Sequence, residues 1–152
     1  MKRTFGTLCL FLMACLGLQA AQVDTLLVRS ESMNKDIKVV TIRPDKAMKG
    51  EKCPVIYLLH GHSGNARTWI DVRPDLPEIA DRDGIIFVCP DGNYDSWYWD
   101  SPAIKESRYE TFISKELIHY VDTHLSAIPD RNKRAITGLS MGGHGAVNLF
   151  LD

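Results

Sequence analysis

The sequence predicts an α/β fold, a mainly parallel sheet with helices on both faces. Two short runs, Val55–Leu59 and residues 85–88, are apolar at every position, the signature of strands covered on both sides. Stretches with helical periodicity separate these runs from each other and from a third strand-like run, residues 134–139. Crossovers of the usual right-handed sense then put helices on both faces of the sheet.

Taken in order, residues 1–20 read as a secretory signal peptide. Lys2 and Arg3 precede an apolar run at 8–18, and Leu18-Gln19-Ala20 offers small-residue cleavage chemistry, in a stretch too short to span a bilayer. A second reading makes Leu12-Met13-Ala14-Cys15 a lipoprotein processing site anchored at Cys15, though Met13 suits that motif poorly. The first reading gives a secreted or periplasmic protein without stable membrane insertion, its mature chain starting near Ala21 and residues 21–152 forming one domain. The segment holds two cations and no acid, so its removal takes the formal net charge from −1 to −3. Neither value is an electrostatic footprint for nucleic acid.

Residues 23–29 and 37–43 are β-rich runs around a polar 31–36, which reads as an antiparallel hairpin, and 44–52 reads as a polar loop. After Val55–Leu59 come a Gly-containing loop and a short helical stretch broken at Pro74 and Pro77, ending at Asp83-Gly84. Residues 110–125 form the strongest helix, with Ile113, Leu117, Tyr120, Val121 and His124 on one apolar face and His119 toward solvent. A turn at 129–133 leads to the third strand, and another helix follows Ser140. Export implies an oxidising compartment and raises a disulfide between Cys53 and Cys89. Parallel strands would hold the two at opposite ends, roughly 15–20 Å apart at about 3.3 Å per residue. A disulfide tolerates about 7 Å between Cα atoms, so two free thiols are expected.

The chemistry concentrates in three segments. Gly138-Leu139-Ser140-Met141-Gly142 is a G-x-S-x-G pattern on a strand-to-helix turn. Such a turn presents Ser140 Oγ outward, while the glycines let strand and helix backbones approach, and the new helix aims its N–H groups where negative charge develops. His60-Gly61-His62-Ser63-Gly64 follows the first buried strand; acyl transfer needs a second oxyanion donor from such a loop. The donors would be the backbone N–H groups of His62 and Met141. A metal reading of His60 and His62 is weak, with no neighbouring carboxylate on the loop. The third segment, residues 90–101, carries Trp97, Tyr98 and Trp99 after the second buried strand. Parallel sheets bind ligands at that end, so these aromatics either wall a substrate site or pack locally. His144 lies four residues after Ser140 and is expected to point away from it.

Leu58-Leu59-His60-Gly61, Pro90-Asp91-Gly92, Tyr109-Glu110-Thr111-Phe112 and residues 134–146 occur in an order and spacing that resemble the esterase D-like family of the α/β-hydrolases. The resemblance runs from Val23 to Asp152. It implies Ser140 as nucleophile, His62 and Met141 as oxyanion donors, and no metal or organic cofactor. The family order is Ser, then Asp or Glu, then His, and no histidine follows His144 here. An α/β-hydrolase-type sheet incomplete at the C-terminus is therefore expected, an N-terminal part lacking the triad acid and base, with residues 134–139 as an unpaired edge. The leading reading is a serine carboxylic-ester hydrolase acting on small-molecule or polysaccharide-linked esters through an acyl-enzyme. Acyl transfer to a sugar hydroxyl and non-catalytic carbohydrate binding are the alternatives.

Overall fold

The computed structural model describes residues 21–151; the stretch expected as a signal peptide, with Cys15, and Asp152 lie outside them. Gln22–Ser30 (β1) and Lys35–Arg43 (β2) form the expected antiparallel hairpin. Its turn closes through Asn34 at φ 52°, a left-handed conformation that asparagine tolerates. The stretch expected as loop contains one helical turn, Asp45–Met48 (α1), whose first N–H donates to the Asp81 carboxylate at 2.8 Å. Four residues are too few for periodicity to register.

Val55–Leu59 (β3), Ile86–Pro90 (β4) and Arg134–Gly138 (β5) complete a five-stranded sheet in the order β1-β2-β4-β3-β5. β3 pairs in parallel with β4 and β5, while the hairpin joins antiparallel through β2 and β4. The sheet is thus mixed, and its parallel character belongs to the three strands that follow the hairpin. Both faces are covered. Val55, Tyr57, Leu59 and Val88 turn toward Phe112, Ile113, Leu117, Val121 and Met141. Leu58, Phe87 and Cys89 turn the other way, toward Leu76 and Ala80. Cys53 belongs to the first cluster and Cys89 to the second, and both thiols are free, as the strand argument required.

On the second face the chain forms Thr68–Val72 (α2) and Leu76–Asp83 (α3). Pro74 separates them as expected. Pro77, by contrast, sits in the first turn of α3, where its missing N–H costs nothing. Gly84 ends that helix at φ 65°.

The long helix on the first face is continuous but not uniform: Tyr109–Thr111 (α4), a π-helical Phe112–Leu117, and Ile118–His124 (α5). A π turn inserts a residue and shifts the phase of everything after it. Burial follows 113, 117, 121 and 125, and the expected core position of His124 is overturned: it is exposed and stacks on Tyr120 at 4.3 Å. His119 is exposed as expected. The Glu116 carboxylate ties this helix to the hairpin turn, accepting from Ser30 Oγ at 2.7 Å and Ser32 N–H at 2.8 Å.

The last helix is Met141–Leu151 (α6). Among the described residues β5 pairs only with β3, and Val147 and Phe150 of α6 stand exposed beside it. A cavity of about 840 Å³ opens between β5, residues 110–118 and the end of α6. No helix among the described residues is long and apolar enough to cross a membrane.

Candidate active site

β5 runs into α6 through a turn with almost no room in it. Leu139 N–H extends the strand pairing, donating to Leu59 O at 3.1 Å, and Gly142 N–H donates back to Leu139 O at 2.8 Å. A Cβ on Gly138 would lie 2.3 Å from the Gly142 carbonyl carbon. One on Gly142 would lie 2.3 Å from Leu59 O and 2.6 Å from His60 O. The turn is therefore backbone against backbone. Between the glycines Ser140 is held at φ 50° and is exposed, its side chain making no hydrogen bond with the described residues. A left-handed residue with a Cβ costs about 1–2 kcal/mol, and such strain survives only where its surroundings over-determine it.

The loop after β3 lies against this turn. A Cβ on Gly61 would come within 3.6 Å of Ser140 Cβ and 3.2 Å of Leu139 O. His62 N–H, on that loop, and Met141 N–H, at the start of α6, have no acceptor among the described residues. Met141 follows Ser140 in the first turn of an eleven-residue helix, and His62 follows Gly61, where a Cβ would lie against the turn. Such a pair can hold an oxyanion. The His62 ring is exposed and meets Tyr94 edge-on at 4.6 Å. Buried Met141 anchors α6 in the first-face core.

His60 has a different part. Its ring is buried between the two loops, with Nδ1 2.7 Å from Gly61 O and Nε2 accepting from Gly92 N–H at 2.8 Å. Only the neutral Nδ1–H tautomer satisfies both bonds. Both nitrogens are then occupied and neither lone pair faces a metal. Asp91 Oδ1 stands 3.7 Å from Nε2, too far for a hydrogen bond.

The three aromatics expected to wall the site divide. Trp97 and Trp99 are about half exposed, at 46% and 51%, and Trp97 meets the His144 ring edge-on at 5.5 Å. Tyr98 is completely buried, so its expected place in a substrate wall is corrected to one in the core. Its hydroxyl donates to His60 O at 3.1 Å, and its ring fills the space beside Gly92 and Gly145. Trp97 and Tyr98 both have positive φ, 54° and 57°, with Ser96 Oγ accepting from Tyr98 N–H at 3.1 Å. His144 N–H donates to Ser140 O at 3.0 Å while its ring is turned to Trp97. Among the described residues no histidine ring hydrogen-bonds Ser140. The sequence suggested a substrate wall for Tyr98 and only a weak metal reading for His60; the bonds that join the two loops through them are set by residues far apart in the chain.

Residues 30–152 match the family model described as "Putative esterase". An acetyl esterase of Caldicellulosiruptor saccharolyticus is 30% identical over 126 residues, covering 78% of this chain and 46% of that protein. Among solved structures, a ferulic acid esterase superposes with a TM-score of 0.73 at 32% identity, over 84% of this chain and 54% of its own. An S-formylglutathione hydrolase from Agrobacterium tumefaciens gives a TM-score of 0.75 at 24% identity, over 86% and 53% of the two chains, which speaks to the fold alone. The chain spans about half the length of these three proteins.

Proposed function

The chain belongs to this esterase family, and from that premise we propose that it carries the nucleophile and oxyanion donors of a serine carboxylic-ester hydrolase. The carrying observation is Ser140, held left-handed on a strand-to-helix turn with the His60–Gly64 loop against it. Ser140 Oγ attacks the ester carbonyl carbon and gives its proton to a base. The carbonyl oxygen becomes an oxyanion held by the His62 and Met141 N–H groups. Collapse of the tetrahedral intermediate expels the alcohol and leaves an acyl-serine, which water hydrolyses to the acid. The base and its orienting acid come from outside the described residues. Exposed Trp97, whose ring meets His144 on the helix after Ser140, and exposed Trp99 two residues on suit small acyl esters of acetyl or feruloyl type, free or carried on a polysaccharide. The signal segment at 1–20 supports action in the periplasm or outside the cell.

An alkyl fluorophosphonate tests this on the protein with its base and orienting acid present, at neutral pH. The expected result is phosphonylation of Ser140, identified by peptide mass and lost in Ser140→Ala with the circular dichroism unchanged. A folded protein that takes no label at Ser140 would overturn the reading.

A further inference from the structure

His60 and Tyr98 are buried side chains that join the loops after β3 and β4 beside Ser140. The His60 ring bonds the loop after β3 through Gly61 O and the loop after β4 through Gly92 N–H. Tyr98, on the second loop, returns a hydrogen bond to His60 O and meets the His60 ring edge-on at 5.8 Å. The same His60 carbonyl lies where a Cβ on Gly142 would collide, and the Tyr98 ring lies where a Cβ on Gly145 would. One clasp thus touches the oxyanion loop, the aromatic loop and the elbow helix.

We propose that His60 and Tyr98 are positioning residues of the ester-cleaving site. They set the His62 N–H against Ser140 on one side and hold Trp97 out at the mouth on the other. The proposal rests on the reading of Ser140 as nucleophile. Two left-handed residues in succession, Trp97 and Tyr98, fit it: the buried Tyr98 ring is what keeps that stretch of backbone in place, and Trp97 is exposed as its neighbour. The imidazole touches no substrate. It works as a neutral two-ended bracket, donating at one nitrogen and accepting at the other.

The test takes the protein with its base and orienting acid present, at neutral pH, and compares its phosphonylation rate with those of its Tyr98→Phe, His60→Leu and His60→Gln variants. Displacing an oxyanion donor by about 1 Å costs on the order of 10²-fold. His60→Leu should lose about that much in the maximal labelling rate with the reagent's half-saturating concentration little changed, and Tyr98→Phe about tenfold. His60→Gln, whose amide oxygen can still accept from Gly92 N–H, should recover most of the loss. A merely destabilised fold would lower the fraction labelled and leave the rate constant of the folded fraction intact. If His60→Leu fails to fold, Tyr98→Phe and His60→Gln carry the comparison, because both preserve volume. Ser140 labelling at equal rates in all folded variants would overturn the clasp and leave the esterase reading standing. Absence of labelling in the unsubstituted folded protein with its base and acid present would overturn both.

Discussion

Ser140 combines a proposed chemical role with a measurable backbone cost, and replacing it by glycine separates the two. At φ 50° a residue with a Cβ carries about 1–2 kcal/mol of left-handed strain that glycine does not. Against this, glycine loses about 0.4–1 kcal/mol more chain entropy on folding. The side chain contributes little else: it is exposed and makes no hydrogen bond with the described residues. Ser140→Gly should therefore be about 0.5–1 kcal/mol more stable than Ser140→Ala. For a chain near this size that is a rise in Tm of about 1–4 °C. Thermal melts of the three proteins, with urea midpoints as a second measure, read the difference, and both substitutions should abolish fluorophosphonate labelling. A Ser140→Gly protein equal to or less stable than Ser140→Ala would refute the strain argument, and with it the reason for calling the turn over-determined.

Gly142→Ala should do the opposite. Its Cβ meets two backbone carbonyl oxygens that cannot step aside, so a loss of about 1–3 kcal/mol is expected in the urea midpoint; an unchanged midpoint would mean that strand and helix are less closely apposed than 2.3 Å implies. A third expectation concerns alkali. Burial pushes the Cys89 thiol up to about 12, and burial, with Asp91 nearby, pushes Tyr109 up to about 12; burial drives Tyr57 and Tyr98 higher still. Their ordinary values are 9.0 for the thiol and 10.0 for the phenols. The folded state keeps protons that the unfolded chain gives up, so this contribution is intact below pH 9.0 and declines as pH rises toward 12. The slope for the thiol alone is about 1.4 kcal/mol per pH unit. Urea midpoints across that window should fall, and Cys89→Ala should flatten the first unit of the decline. A level midpoint would contradict it.

What was legible in the sequence was what depends on near neighbours. Val55–Leu59 is buried along nearly all its length because nearly every side chain is apolar, and that needs no knowledge of its partners. The Gly138–Gly142 turn was legible as a short motif, and the collision that demands glycine at 138 is local to it, whereas the one at 142 comes from Leu59 and His60, far back in the chain. His124 was misread because the π turn at Phe112–Leu117 changes helical phase by a residue without changing composition. The parts of His60 and Tyr98 were hidden by distance along the chain: Gly92 is 32 residues from His60, and Tyr98 is 38. Of three adjacent loop aromatics, nothing local says which ring turns inward. Space beside Gly92 and Gly145 decides it, and that space exists only once the loops have met.

The burial of Tyr98 also constrains the order in which this chain can change. Its ring occupies the volume that side chains at 92 and 145 would need, so the three positions are not free to vary one at a time. A larger residue at either glycine is acceptable only in a lineage whose residue at 98 has already shrunk. A shrunken residue at 98 leaves a void until a glycine gains carbon. Neither first step is neutral alone, and the pair together can be. Positions 92, 98 and 145 thus constrain one another, and exchanging them one at a time passes through states packed worse than either end.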